Sequence, residues 1–520
     1  MSAATAAPAV AVGERSSSLP RWWPLAALTL LAAVLRLSTL DLQSFWYDEA
    51  FTPVHVLHPS LWATLRSVVH TENTPPLWYL LAWVDSRVLG TGELALRLPS
   101  ALAGIATVPV AWAIGRELSG RRAAIACAAI VAVDPLFVWY SQEARAYGLF
   151  VLMGALAMLC FLRAAADPTP RRMAAFALTG ALALLTHYFA VFLLIPMILW
   201  LLWQRSSRRT ALAASGSLAL VGLALLPLIS AQGGHGTQWI GRWPLSERLE
   251  AIPQYYLTGY SGAPLGHSVE ILVALPIIAG LGLWLWRTLE RPATTRARAA
   301  AAAGATAELA REHRGALIAL LLAACGVLIP ILLVAFGADY LAPRNLVAAM
   351  IPVSGLIAVL VVSPRNGRTG IALAAAIVAA FLLISLDVDF SPRLQRGNWR
   401  DLARALGATG AGGRQRVITT VELGSAPLEY YLPGLHNLRE GSTVRVSEID
   451  ETGYAPLRPS AGEPPAPGFR LLARLDVNGL IVYRFVSRSP RTVEEATLRR
   501  HVITLASPEV LVPVGARVSG

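Results

Sequence analysis

Long apolar blocks, separated by short charged stretches, fill the chain as far as residue 386, and beyond it the pattern turns mixed. A helix that crosses a bilayer needs about 20 mainly apolar residues. By that measure about eleven segments qualify: 24–40, 98–114, 123–138, 147–162, 174–185, 187–203, 211–229, 269–286, 316–336, 345–362 and 370–386. The fifth is short and shares its boundary with the sixth. Arginines punctuate the series. Arg116, Arg121 and Arg122 lie between the second and third segments, and Arg163, Arg171 and Arg172 follow the fourth. Arg205, Arg208 and Arg209 follow the sixth, Arg287, Arg291, Arg296, Arg298, Arg311 and Arg314 the eighth, and Arg365 and Arg368 the tenth. Every second loop is therefore Arg-rich, as cytoplasmic loops are. This predicts a cytoplasmic N-terminus, with Arg15 and Arg21, and an external segment after Leu386. No convincing small-residue cleavage site follows the first segment, which reads as a retained helix rather than a signal peptide.

The pattern thus predicts a polytopic α-helical membrane protein: a transmembrane part over 1–386 and an extracytoplasmic soluble α/β domain over 387–520. Within the latter, 398–406 reads as a helix, and 416–421 and 480–485 read as strands. Most outer loops are tight, but 41–97 and 231–267 are long, and long loops in compact proteins are commonly functional. Both are rich in aromatics, including Trp46, Tyr47, Trp78 and Tyr79 in the first and Trp239, Trp243 and Tyr260 in the second. An aromatic belt at the headgroups accounts for most of these rings. Residues 76–89 are apolar but short and carry Asp85 and Arg87, which predicts an amphipathic helix in the outer interface.

Composition agrees with the pattern. Hydrophobic residues make up 55% and charged ones 15%, with a mean hydropathy of +0.54. The net charge of +12 comes from arginine alone, since the chain has no lysine. Ala-rich, Lys-free usage points to a GC-rich bacterial genome, hence a bacterial cytoplasmic (plasma) membrane. A basic total often signals nucleic acid, but arginines set between apolar runs signal topology instead, so no nucleic-acid partner is expected. Cys127, Cys160 and Cys325 all fall in apolar runs, which argues against a disulfide framework or a thiolate metal site.

Candidate chemistry lies where acidic residues gather beside the membrane. The first outer loop holds Asp41, Asp48, Glu49, Glu72, Asp85 and Glu93. A second cluster, Ser141-Gln142-Glu143-Ala144-Arg145-Ala146-Tyr147, falls at the outer turn between the third and fourth segments. His187 and Arg344 occupy other outer turns. Taken singly, each has an ordinary reading: Asp48-Glu49 as a helix cap, Glu143 and Arg145 as a local ion pair, His187 as a hydrogen-bonded structural residue, Arg344 as a snorkelling anchor.

The order of motifs is more specific than any one of them. Trp46-Tyr47-Asp48-Glu49 is followed by Glu72-Asn73-Thr74-Pro75-Pro76-Leu77-Trp78-Tyr79, then Gly92-Glu93, Arg97-Leu98-Pro99-Ser100 and the Ser141–Tyr147 cluster. In this order the chain resembles the GT-C glycosyltransferases, in the branch of protein O-mannosyltransferases and lipid A aminoarabinose transferases. The resemblance covers 36–188, and more loosely the Arg344 segment and Asn398-Trp399-Arg400-Asp401. It implies a polyprenyl-phosphate-linked sugar donor, a lipid, glycan or protein acceptor, an active site at the outer face, and Asp48 as catalytic base beside Glu49. Glu143, Tyr147, Trp46 and Tyr47 would support the substrate or the loop. Some members bind a divalent metal near this loop; Glu72 is the nearest match to a ligand, with His187, His235 and His267 as candidate partners.

Elementary chemistry is compatible with these roles. A sugar phosphate already carries a good leaving group, so one general base suffices. The leaving phosphate needs cationic hydrogen-bond donors, for which Arg145 and Arg344 are the candidates. The alternative is a transporter or flippase for a lipid-linked saccharide. That class places ionisable groups near the bilayer midplane in repeated halves. Here the notable charges cluster at the outer ends of segments and no internal repeat is visible, which favours an inverting glycosyltransferase.

Overall fold

The computed structural model describes residues 22–204, 208–260, 265–289, 299–407, 415–501, 503–504 and 507–519, and of 299–308 the backbone. Arg15, Arg21, Arg205, Arg291, Arg296 and Arg298 lie outside the described residues. In chain order the helices begin α1 Trp23–Leu37, α2 Tyr47–Phe51, α3 Leu61–Thr71, α4 Leu77–Val88, α5 Glu93–Ser119, α6 Arg121–Val133, α7 Pro135–Ser141 and α8 Tyr147–Ala166. There follow α9 Pro170–Thr186, α10 Ala190–Trp203, α11 Arg208–Gln232, α12 Gln238–Arg242, α13 Leu245–Thr258, α14 His267–Leu289 and α15 Ala299–Ala335. A 3₁₀ turn, Pro343–Ala349, leads into α16 Met350–Val361; then come α17 Gly367–Phe390, α18 Trp399–Leu406, α19 Ser425–Tyr431 and α20 Glu495–Arg500.

A helix lies at each of the eleven predicted segments. Among the described residues seven helices are long and apolar enough to cross a membrane, or eight if the bent pair α6 and α7 counts as one span. α1 and α10 are apolar but shorter, and α9 has 17 residues. The segment 76–89 forms a helix, α4, which buries Trp78, Tyr79, Ala82 and Ser86.

The bend of 55° between α6 and α7 positions the site. Pro135 cannot donate a backbone hydrogen bond, so the helix breaks before it and strands the carbonyls of the preceding turn. Unpaired carbonyls in an apolar interior are costly. Each finds a donor from elsewhere. Arg36, fully buried at the end of α1, donates from Nη2 to Val131 O (3.0 Å) and from Nη1 to Ala132 O (2.7 Å). Ser385 Oγ donates to Val133 O (2.7 Å). Asp134 Oδ1 then caps α7, accepting from the backbone N–H of Leu136 and Phe137 (2.9 and 3.2 Å). Arg36 Nε also reaches Ser141 Oγ (3.2 Å), and Gln142 Nε2 donates to Leu35 O (2.9 Å) and Thr39 Oγ1 (2.8 Å). The close approach of α5 requires Gly104, where a Cβ would stand 2.0 Å from Ser141 Oγ. Residues 141–147 are thus fixed by α1 and α5 rather than left as a free turn.

The C-terminal part is a mixed seven-stranded sheet. Its strands are β1 Arg416–Thr420, β2 Leu435–Asn437, β3 Thr443–Tyr454, β4 Arg470–Val477, β5 Leu480–Glu494, β6 Glu509–Pro513 and β7 Val518–Ser519. The order is β2-β6-β1-β3-β5-β4, with β7 on β3; β1 and β3 are parallel and the other pairs antiparallel. Alternation divides the two faces. Val417, Ile449, Ile481 and Phe485 form one core, while Ile418, Val482 and Leu511 form another with Trp399, Leu402 and Leu428. Trp46 of the first loop packs into that second core, so the sheet domain docks on the loop that carries Asp48. The predicted helix and both predicted strands are present. β3 was not predicted, because Glu448, Asp450 and Glu451 make it read polar. In the fold Asp450 is buried between Arg416 Nε (3.0 Å) and Arg484 Nε (2.8 Å), and Glu451 is held by His501 Nδ1 (2.9 Å).

Candidate active site

A cavity of about 330 Å³ opens where α2, the 3₁₀ turn Pro343–Ala349 and the α7–α8 connection converge. Its far walls are apolar, formed by residues such as Phe189, Phe192, Ile229 and Leu333. Its near end is ionic. Asp48, Glu72, Arg145 and Arg344 all line it, with Tyr47, Tyr147 and His187. Residues up to 296 positions apart in sequence thus meet at one end of an apolar chamber.

Asp48 sits in the first turn of α2, its Oδ2 2.5 Å from Arg344 Nη1. The Arg344 guanidinium lies over the Trp239 ring, 4.9 Å from its centroid, a cation–π contact that fixes the fork. Arg145 binds Glu72 through two bonds, Nη1 to Oε1 at 3.1 Å and Nη2 to Oε2 at 2.9 Å. Burial lowers the affinity of Arg145 for its proton, but Glu72 and the nearby Tyr79 and Asp48 outweigh this and hold its pKa well above the ordinary value. Burial, with Tyr260 and Asp48 nearby, raises the Tyr47 phenol, so it stays protonated. Glu72 also accepts from Tyr79 OH (2.5 Å). Each arginine is therefore matched by one carboxylate, and an incoming anion must compete for it.

Glu49 follows Asp48 but points elsewhere. Successive helical residues are about 100° apart, which carries Glu49 off the cavity into a fully buried pair with Arg97: Nε to Oε1 at 2.7 Å and Nη2 to Oε2 at 2.6 Å. Arg97 also donates to the carbonyls of Leu40, Gln43 and Ser44, and Ala144 N–H donates to Glu49 Oε1 (2.9 Å). Burial pushes the Glu49 carboxyl up, yet Arg97 and Arg396 pull it below the ordinary value. Glu143 is fully buried behind α2; neither oxygen has a hydrogen-bond partner, and Arg396 Nη2 stands 3.5 Å away. Burial raises the Glu143 carboxyl to about 7, against the pull of Arg396 and with help from Glu49 and Asp48. Trp46 leaves the cavity for the sheet-domain core, its ring 4.5 Å from that of Tyr47.

The structure does not bring Glu72, His187 and His267 together around a common point. Glu72 commits its carboxylate to Arg145 and Tyr79. His187 lines the cavity but stacks on Phe150 (4.6 Å) and accepts from Phe189 N–H through Nδ1 (3.2 Å). His267 is exposed, away from the cavity lining, and pairs with Glu250 and Glu270. Among the described residues no group of three or more His, Cys, Asp or Glu side chains is arranged to hold an ion, so this donor set does not fit one.

Two further lining residues, Gln232 and Leu423, carry little or no sequence signal. Gln232 closes one wall, donating to Val68 O (2.9 Å) and Thr74 O (3.1 Å) and accepting from Tyr188 OH (2.7 Å). A lone amide ending an apolar run was its only signal. Leu423, the lining residue that comes from the sheet domain, adopts φ 66° and carries no sequence signal.

Residues 73–232 match the sequence model of a family described as dolichyl-phosphate-mannose-protein mannosyltransferase. Comparison with curated proteins gives no match. Among solved structures, ArnT from Cupriavidus metallidurans bound to undecaprenyl phosphate is similar, with a TM-score of 0.51 and 13% identity over 89% of this chain and 98% of that one. The Archaeoglobus fulgidus oligosaccharyltransferase in complex with Zn and sulfate gives a TM-score of 0.46 and 15% identity over 74% of this chain, which spans 55% of that protein's length. The S. cerevisiae Pmt1-Pmt2 complex bound to its sugar donor gives 0.33 and 18% identity over 42% of this chain and 35% of that one.

Over residues 73–232 the chain is similar in sequence to the protein mannosyltransferases, and its fold is similar to that of ArnT.

Proposed function

We propose that the protein is an inverting glycosyltransferase that moves a sugar from a polyprenyl-phosphate donor to an acceptor hydroxyl at the outer face of a bacterial plasma membrane. In this reading the chain crosses the bilayer eleven times, 1–386 forms the membrane part, and the sheet domain stands outside. The observation that carries the proposal is the meeting of Asp48 with Arg344 and Arg145 at the ionic end of an apolar cavity. The apolar walls suit a prenyl chain, and the similar ArnT structure holds undecaprenyl phosphate.

The ion pairs suggest the order of events. The donor phosphodiester takes Arg344 in place of Asp48, and Arg145 adds a second cationic fork. Asp48, released from its counter-charge, accepts the proton of the acceptor O–H as that oxygen attacks the anomeric carbon. The bond from that carbon to the phosphate oxygen breaks, and the pair of electrons leaves with the polyprenyl phosphate. Positive charge builds on the sugar in the transition state, as in glycoside hydrolysis, while the two guanidiniums stabilise the leaving oxygen. Attack opposite the phosphate inverts the configuration. Glu49 and Arg97 take no part in bond making; they hold α2.

The test is to incubate purified protein in native membranes with a panel of undecaprenyl-phosphate sugars and measure release of undecaprenyl phosphate. Release from at least one donor, lost in Asp48→Asn, is the expected result. No release from any donor would remove the proposed activity.

A further inference from the structure

Arg396 lies in the short link between α17 and α18, outside every motif that marks the site. Its side chain is nonetheless 1% exposed, which is costly for a cation unless it is fully matched. Its Nε stands 3.8 Å from Glu49 Oε2 and its Nη2 3.5 Å from Glu143 Oε2. Nη2 also donates to Trp139 O (3.2 Å), and the guanidinium lies over the Trp139 ring, 3.8 Å from its centroid. Among the described residues Arg396 is the cation within ion-pair distance of Glu143, whose oxygens have no hydrogen-bond donor.

The backbone around Arg396 is clasped to the loop that leads into α2. Arg396 N–H donates to Gln43 Oε1 (2.9 Å), Ser44 Oγ donates to Gly397 O (3.1 Å), and Trp399 N–H donates to Ser44 Oγ (3.0 Å). Residues 43–46 and 396–399 therefore form one joint, and the sheet domain begins on its far side.

We propose that Arg396 is a positioning residue for transfer: it neutralises Glu49 and Glu143 behind Asp48 and couples the placement of α2 to the docking of the sheet domain. The inference rests on the reading of Asp48 as base. Without the guanidinium, Glu143 faces Asp48 and Glu49 on α2, with Tyr140, Tyr147 and Tyr260 around it; Arg344 acts on Glu143 from the cavity, and Arg145 and Arg97 stand beside Tyr147 and Glu49. Glu143 then stays protonated, and raising the pH forces a second carboxylate charge in beside Glu49. The variant's defect therefore grows with pH. A loss of packing alone has no reason to depend on pH in this way.

The experiment measures kcat and KM across pH for wild type, Arg396→Gln, Arg396→Lys and the double variant Arg396→Gln/Glu143→Gln. The probe is undecaprenyl-phosphate mannose, or the panel donor that wild type consumes, in membranes carrying the native acceptor. Arg396→Gln is expected to lower kcat about 10- to 100-fold, the scale of a misplacement near 1 Å, with donor KM within about threefold because both phosphate-binding arginines remain. The deficit is expected to widen above neutral pH, to lose that pH dependence in the double variant, and to be partly rescued by Lys. If Arg396→Gln does not fold, Arg396→Lys and the double variant carry the same comparison. Wild-type kcat in folded variants, or a deficit flat with pH and unchanged by Glu143→Gln, overturns the inference while leaving the activity in place. An inactive wild type overturns the activity itself, and this inference with it.

Discussion

Asp48→Asn should move turnover and donor affinity in opposite directions. The substitution keeps the shape of the side chain and removes its charge and its capacity as a base. Loss of a general base costs about 10²–10⁴-fold in rate. Binding responds to the ion pair instead. Arg344 Nη1 is 2.5 Å from Asp48 Oδ2, and both side chains are less than one-fifth exposed, at 19% and 15%. Two unit charges centred about 4 Å apart attract by about 4 kcal/mol at an effective dielectric near 20. Desolvation and a residual neutral hydrogen bond offset much of this, leaving about 1–2 kcal/mol that the donor phosphate no longer has to overcome. Donor affinity should therefore rise about 5- to 30-fold. The assay pairs equilibrium binding of an undecaprenyl-phosphate sugar with single-turnover release of undecaprenyl phosphate. Near-wild-type release would remove Asp48 as base. Weaker donor binding by the Asn variant would refute the competition between phosphate and carboxylate for Arg344.

Glu49→Gln should act mainly on stability, since it leaves Arg97 buried with carbonyls and no carboxylate bound to it; a cost of about 3–5 kcal/mol is expected, read as a lower unfolding temperature in detergent. An unchanged unfolding temperature would contradict this. Glu143 should make stability fall with rising pH. Its carboxyl is raised from 4.5 to about 7 in the fold, so the folded state holds the proton more tightly, and the resulting stability, present below 4.5, is lost as pH rises through about 7. Unfolding temperatures of wild type and Glu143→Gln should diverge across that window, by an amount on the order of 3 kcal/mol, and parallel curves would refute the shift.

The sequence by itself determined the parts of this protein that the membrane solvent dictates. Apolar runs must become helices, because a bilayer offers no partner to an exposed peptide group, and a helix does lie at each predicted segment. The motif order likewise singled out Asp48 and Arg145, and more loosely Arg344, and all three line one cavity in the fold. The sheet was less legible: β3 places Asp450 and Glu451 in the interior, where only their arginine and histidine partners from other strands and loops make burial tolerable. Tertiary structure gave the two adjacent carboxylates their different partners. Asp48 and Glu49 are neighbours in sequence, but a turn of about 100° per residue points one at Arg344 and the other at Arg97. Tertiary structure alone also separated His267 from Glu72, and placed Arg36 on the carbonyls that Pro135 leaves open. It set Arg396 between two buried glutamates as well. Each of these depends on residues tens to hundreds of positions apart. A local pattern records how a segment meets its solvent, whereas the partner that makes a buried charge affordable comes from the packing of the whole chain.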